Sequence, residues 1–110
     1  MKINAICENR DYRRIYARGN TIVTPSVVIY ISKNRRKNVR VGITTSKKIG
    51  NAVKRNRARR IIRESIREIL PNIKEGYDLV LVARAKTPYL KSTQIKLVLL
   101  KQLKSNGILK

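Results

Sequence analysis

Residues 46–67 combine charge of one sign with a helical repeat of apolar residues. Their single acid is Glu64, against nine basic residues: Lys47, Lys48, Lys54, Arg55, Arg57, Arg59, Arg60, Arg63 and Arg67. Such a set can bind phosphate, because a guanidinium donates two parallel hydrogen bonds to phosphate oxygens and stacks on bases. A solvated charged face normally mixes acids with bases, so this pattern predicts a nucleic-acid-binding helix.

The apolar residues of this stretch follow the spacing of an amphipathic helix. At about 100° per residue, with Ala58 as zero, one face covers roughly −60° to +80°. It holds Ala58, Ile61, Ile62, Ser65, Ile66 and Ile69. The face from roughly 100° to 200° holds Asn56, Arg59, Arg60, Arg63 and Arg67. We expect the first face to pack on a core and the second to face outward, in a helix capped by Asn51 and ended by Pro71.

The composition excludes most catalytic classes. The chain has no His, a single Cys7 and six scattered acids, which excludes zinc sites and His-dependent nucleophilic catalysis. A metal-dependent nuclease would need converging carboxylates. We therefore expect no catalytic residue and no metal ligand in the chain.

The net charge of +21 and the isoelectric point near 11.2 predict a polyanionic partner. Trp and Phe are absent, no apolar run approaches the length of a membrane span, and charges interrupt the N-terminal segment. We expect a cytoplasmic protein with no membrane partner.

The remaining patterns predict a single α+β domain over residues 1–110, in the order α-β-β-β-α-β-α, with helices on a four-stranded sheet. A helix over 10–18 is capped by Asn9 and stopped by Gly19. Strands are expected at 21–24, 27–32, 39–45 and 77–83, with 33–38 as a hairpin connection and 39–45 as a half-buried antiparallel strand. A last helix is capped by Ser92 and ends at Asn106. If strands 39–45 and 77–83 are parallel, general statistics make their crossover right-handed.

Residues 46–68, SKKIGNAVKRNRARRIIRESIRE, resemble the signature segment of the bacterial ribonuclease P protein family, with Arg55-Asn56-Arg57 as its Arg-Asn-Arg core. The similarity extends to Asn9-Arg10-Asp11-Tyr12 with Tyr16 and Gly19, to VVIYIS at 27–32 and to GYDLVLVAR at 76–84. It implies an α/β sandwich with a left-handed βαβ crossover. It also implies two partners, ribonuclease P RNA and precursor tRNA, with no obligatory protein partner. The RNA and its Mg²⁺ ions would perform the cleavage that removes the 5′ leader.

The resemblance also implies two surfaces. The catalytic RNA would contact Lys47, Lys48, Asn51, Arg55, Asn56, Arg57, Arg59, Arg60 and Arg63. The single-stranded leader would lie in a cleft lined by Tyr12, Tyr16 and Tyr30, where this family more often has Phe at the first two positions. Stacking on aromatic rings tolerates many leader sequences. Arg13, Arg14 and Arg40 are candidates for leader phosphates.

The residue pattern by itself leaves other interpretations open. Tyr12 and Tyr16 could be core residues of the first helix, whereas Tyr30 lies on the less apolar face of its strand, which favours the cleft. Tyr77 and Tyr89 are assigned to packing. The chief alternative function is a structural RNA-binding protein of ribosomal type. A nuclease acting without RNA is disfavoured by the missing histidines.

Overall fold

The computed structural model describes residues 3–110, which form three helices and five strands. In chain order these are β1 (Asn4–Ala5), α1 (Asn9–Arg18), β2 (Asn20–Val23), β3 (Val27–Lys33), β4 (Val39–Thr44), α2 (Ala52–Ile69), β5 (Tyr77–Ala83) and α3 (Ser92–Ser105). Short 3-10 turns cover Lys47–Ile49, Leu70–Asn72 and Thr87–Tyr89. The predicted α+β class is confirmed, and so is the predicted element order from α1 onward.

The strands form one sheet in the order β1-β4-β5-β3-β2. The prediction of four strands missed β1, because two residues are too few to show a period; β1 pairs parallel with β4. The predicted hairpin at residues 33–38 is wrong, since β5 lies between β3 and β4. The antiparallel assignment of β4 is wrong as well, because β4 is parallel to both of its neighbours. Strand β5 occupies the centre because its apolar residues suit burial on both faces.

Helices α2 and α3 cover one face of the sheet and enclose the main core. Its fully buried side chains include Ile62, Ile66, Leu79, Leu81, Leu99 and Leu103. Helix α1 covers part of the other face, where Ile15 packs with Ile6 and Val80. Burying one Leu or Ile side chain stabilises the fold by roughly 1.5–3 kcal/mol, so the main core holds α2 firmly by its apolar side. None of the helices in residues 3–110 is long and apolar enough to cross a membrane.

The parallel pairing of β4 with β5 makes β4-α2-β5 a βαβ unit. The left-handedness of this crossover stays a prediction. Helix α2 begins after Gly50, whose φ of 135° favours glycine. Its cap is Asn51, as predicted: the Lys54 backbone N–H donates to Asn51 Oδ1 at 3.0 Å.

Two other predicted caps are displaced by one residue. Glu8 occupies the cap position of α1, and Asn9 is the first helical residue. Lys91 precedes α3, and its backbone N–H donates to Gln94 Oε1 at 2.8 Å, so Ser92 is not the cap. The helix ends predicted from turn residues are confirmed at Gly19, Pro71 and Asn106.

Candidate nucleic-acid interface

The basic face of α2, which comprises Asn56, Arg59, Arg60, Arg63 and Arg67, is exposed along its whole length. On the opposite side the apolar residues face the core, as predicted. Within residues 3–110 no carboxylate forms an ion pair with an arginine of this face. Apart from one hydrogen bond from Arg59 to Thr45 Oγ1 at 3.0 Å, the guanidiniums therefore remain available to an external polyanion, which would also relieve their mutual repulsion.

The turn that leads into α2 displays two more of the predicted RNA-binding residues. Lys47 and Lys48 are exposed, while Ile49 between them and the helix is buried at 6% exposure. The buried isoleucine anchors the turn to the core, so the backbone of the two lysines is fixed beside the positive N-terminal end of α2.

Asn51 and Arg55, also predicted to bind RNA, help to build this end of the helix. The Asn51 oxygen is occupied by the capping bond. Arg55 is half-buried, and its Nη1 donates to the Gly50 carbonyl at 3.4 Å. Arg57 is exposed. Asn51 thus has the capping role predicted from the sequence, and Arg55 has a structural role that the sequence pattern did not reveal, whereas Arg57 is free to reach a ligand.

Three tyrosines cluster on the α1 side of the sheet. The ring centroids of Tyr12 and Tyr16 lie 6.2 Å apart, and the Tyr16 ring meets Tyr30 edge-on at 4.8 Å. Tyr16 is 40% exposed, and the other two are half-buried. The structure therefore brings the three predicted leader-binding residues together. An exposed ring supported by two others offers a surface on which a base can stack.

The sheet forms the floor beneath these rings. Gly42 of β4, Val80 of β5 and Tyr30 of β3 are direct cross-strand neighbours. Gly42 is required by close approach, because a Cβ there would lie 2.5 Å from the Tyr12 hydroxyl oxygen. The next row, Thr44, Val82 and Val28, is half-buried beyond α1.

Tyr12 is tethered more firmly than its two partners. Its hydroxyl donates to the Ile6 carbonyl at 3.1 Å. Burial raises the pKa of Tyr12, with smaller upward contributions from Tyr16 and Cys7 and an opposing one from Arg59. The phenol therefore stays neutral at physiological pH and does not repel a nucleic acid.

One groove runs from Tyr12, the first of the three clustered tyrosines, to the basic face of α2. It has a volume of about 720 Å³ and is lined by Ile3, Ala5, Ile6, Tyr12, Val41, Gly42, Ile43, Arg59, Arg63 and Arg67. Strand β1 and the segment after it supply part of its lining, a contribution that sequence reasoning missed. A single strand of nucleic acid can thus meet an aromatic ring and guanidiniums in the same groove.

A buried ion cluster fixes α1 against the sheet. Asp78 is completely buried and lies directly across from Arg40 in the β4–β5 pair. Arg40 donates to the two Asp78 carboxylate oxygens at 2.9 and 2.7 Å and to Asp11 of α1 at 3.3 Å. Arg14 lies 3.4 Å from Asp78, and Asn34 donates to it at 2.7 Å. The assignment of Arg40 to leader phosphates is therefore wrong, because its guanidinium is already occupied by two carboxylates.

The ion cluster sets the ionisation of Asp78. Burial alone would raise the pKa of Asp78. Hydrogen bonds from Arg40 and Asn34, together with the charges of Arg40 and Arg14, outweigh burial and lower the pKa below its ordinary value. Asp78 is thus a carboxylate at neutral pH.

Comparison with known proteins supplies the family. A family model described as Ribonuclease P matches residues 1–106. The chain belongs to the ribonuclease P protein family. It is 42% identical over 109 residues to the ribonuclease P protein component of Clostridium botulinum (strain Langeland), with 98% of each chain covered. It is 48% identical over 89 residues to that of Clostridium novyi, with 78% of each covered.

Solved structures of ribonuclease P proteins share the fold. The Staphylococcus aureus protein aligns with a TM-score of 0.84 and 33% identity, covering 99% of this chain and 100% of that one. The Thermotoga maritima protein aligns with a TM-score of 0.81 and 27% identity, covering 93% and 96%. The likeness to ribonuclease P proteins therefore includes α2, α1 and the sheet between them.

Two surface features of this family member were missed from the sequence. Tyr89 was assigned to packing but is 66% exposed, so that assignment is wrong; Tyr77 does pack against the core. A second basic groove of about 420 Å³ runs along one side of α1 and is lined by Asp11, Arg14, Arg18, Ser32, Lys33, Asn34, Arg35, Arg36 and Arg40. The signal for this groove was present in the arginines of α1 and of the segment after β3, but their proximity depends on how α1 docks on the sheet.

Proposed function

We propose that this chain is the protein subunit of a ribonucleoprotein that removes the 5′ leader of precursor tRNA. The basic face of α2 and its lead-in turn bind the catalytic RNA, and the tyrosine cleft holds the leader. The observation that carries the proposal is the continuous groove in which Tyr12 meets Arg59 and Arg63, in a chain of this family. Such a groove can position a leader next to the RNA that cuts it.

In this proposal the hydrolysis belongs to the RNA and to the Mg²⁺ ions that it holds. Residues 3–110 contain no group of three or more acidic or thiol side chains placed to bind a metal. Asp11 and Asp78 lie on either side of Arg40, and both carboxylates accept hydrogen bonds from it. These residues do not fit a magnesium site held by protein alone. The protein's part is to bind and orient the two RNAs.

The leader is held by stacking and by charge. Tyr16 offers the most exposed ring, and Tyr30 supports it from the sheet. Stacking accepts any base because every base has a π face, which suits leaders of varied sequence. The exposed Arg13 is available for a leader phosphate. The unpaired, exposed Cys7 suits the reducing cytoplasm in which we place the protein.

The test of this function is cleavage of a precursor tRNA at low Mg²⁺ concentration. Parallel reactions contain the protein alone, bacterial ribonuclease P RNA alone, and both together. We expect 5′-leader release only in the mixture, because the protein supplies binding and the RNA supplies chemistry. Cleavage by the protein alone would refute the division of labour. If the mixture cleaves precursor tRNA no faster than the RNA alone, the result would favour the alternative function, a structural RNA-binding protein.

If the tyrosine cleft holds the leader, its residues should affect the binding of precursor tRNA but not of mature tRNA. Tyr16→Ala or Tyr30→Ala should weaken binding of precursor tRNA to the holoenzyme by about fivefold or more, because one base–aromatic stack is lost. Binding of mature tRNA, which has no leader, should not change. Equilibrium titration of both tRNAs measures the difference. Tyr16→Phe is the matched control and should bind as the unmodified protein does; equal losses for both tRNAs would show that the rings do not hold the leader.

A further inference from the structure

Tyr89 is a large aromatic residue held at the surface by a rigid turn. It is 66% exposed, although Thr87 and Pro88 of the same turn are buried. Thr87 Oγ1 donates to the Ser26 carbonyl at 2.6 Å and accepts from the Arg84 backbone N–H at 2.8 Å. These bonds tie the turn to the β2–β3 connection and to the end of β5. The Tyr89 ring is therefore preorganised without being part of the core.

The ring lies beside the N-terminal end of α2. The turn contacts α2, and the Lys54 ammonium lies 5.7 Å from the centroid of the Tyr89 ring. The Lys54 side chain passes over Gly50, where a Cβ would lie 2.8 Å from Lys54 Cδ. A cation within about 6 Å of a ring is attracted to it. Val53, in the same first turn of α2, is 69% exposed. An exposed aromatic surface with an adjacent cation thus borders the basic helix.

The two segments that meet at Tyr89, its own turn and the start of α2, carry charge of one sign. Residues 84–91 contain Arg84, Lys86 and Lys91 and no acid. Residues 46–57 contain Lys47, Lys48, Lys54, Arg55 and Arg57 and no acid. An aromatic ring among basic side chains complements a nucleic acid, whose bases stack while its phosphates pair with cations.

We propose that Tyr89 is a stacking site for an unpaired base of the catalytic RNA, with Lys54 beside it to meet the adjoining phosphate. This inference rests on the proposed function and extends its RNA-binding surface beyond α2. The base comes from the catalytic RNA rather than from the leader, because the Tyr89 turn contacts α2. Tyr12, Tyr16 and Tyr30 instead lie on the α1 side of the sheet.

Affinity for ribonuclease P RNA, measured by titration in the absence of tRNA, tests the stack. Tyr89→Ala should weaken binding by about fivefold to 150-fold, the range for loss of one base–aromatic stack. Tyr89→Phe should retain affinity, and Tyr89→Leu, which keeps apolar area without a ring, should lose it. Leu97→Ala is the matched control, since Leu97 is 68% exposed on α3. Full affinity in Tyr89→Leu or Tyr89→Ala would overturn the proposal.

A fluorescent probe reports stacking directly, because the chain has no Trp. Tyr89→Trp introduces a single indole whose emission should be quenched when ribonuclease P RNA binds, whereas Leu97→Trp should not be quenched. Quenching of Tyr89→Trp only after precursor tRNA is added would assign the base to the substrate and overturn the proposal. Failure of the unmodified protein to bind the RNA would refute the proposed function instead, which separates the two results.

Discussion

Replacing Arg59, Arg60 and Arg63 together with alanine is expected to weaken binding of ribonuclease P RNA on the order of a hundredfold. All three side chains are exposed on the basic face, so the protein should remain folded although the variant lacks three guanidiniums that the proposed function pairs with phosphates. Removal of each guanidinium should also reduce the slope of log affinity against log salt by about 0.7–0.9. For three guanidiniums the slope should therefore fall by about 2–3 in titrations between low and moderate salt.

A matched control distinguishes RNA binding by the basic face of α2 from attraction by the total charge of the protein. Lys101, Lys104 and Lys110 are also exposed but lie on or after α3. Replacing them with alanine removes the same three charges and takes the net charge from +21 to +18, as the arginine variant does. The lysine variant should lose much less affinity for ribonuclease P RNA than the arginine variant does. Equal losses in the two triple variants would show that total charge, not the face of α2, binds the RNA.

Asp78→Asn is expected to lower the free energy of unfolding by about 3–5 kcal/mol, the usual cost of removing one partner from a buried ion pair. Asp78 is completely buried and accepts two hydrogen bonds from Arg40. The neutral amide would leave the charge of Arg40 beside only Asp11. Denaturation by urea measures the loss. The control is Glu68→Gln, which breaks the exposed Lys96–Glu68 pair and should cost at most about 1 kcal/mol.

The same carboxylate predicts how stability depends on pH. Because the folded-state pKa of Asp78 is lowered, its contribution is fully present above the unfolded value of about 3.9. The contribution is lost as pH falls through the lower folded-state pKa. The unmodified protein should therefore lose more stability between about pH 5 and pH 2 than Asp78→Asn does. Parallel pH profiles for the two proteins would show that Asp78 is not the titrating group.

The ion cluster also connects stability to the candidate leader site. Asp11 and Arg14 of α1 share the cluster with Arg40 and Asp78 of the sheet. Tyr12, next to Asp11 in the chain, rests on Gly42, two residues after Arg40. The cluster and the aromatic contacts thus hold the same helix on neighbouring rows of the sheet. Loss of Asp78 should loosen the cleft as well as the fold.

Local sequence determined the two faces of the basic helix α2 and the orientation of the candidate cleft residues. In α2 the 3.6-residue period separates arginines from isoleucines, and Asn51 caps the helix through a bond three residues away. Because side chains alternate along β3, Tyr30 points to one face of the sheet and the buried Ile29 and Ile31 point to the other. Such features depend on neighbours within one or two turns of chain, so the pattern of residue types is sufficient to predict them.

Only the tertiary structure decided which segments meet. The period of a strand predicts its faces but not its neighbours, so the insertion of β5 between β3 and β4 was not predictable from the pattern. That pairing places Asp78 across from Arg40, 38 residues earlier, and turns a candidate phosphate ligand into a buried structural residue. Tyr89 likewise stays exposed because Thr87 and Pro88 take the buried positions of its turn. Each outcome depends on contacts between distant segments, which residue spacing along the chain does not encode.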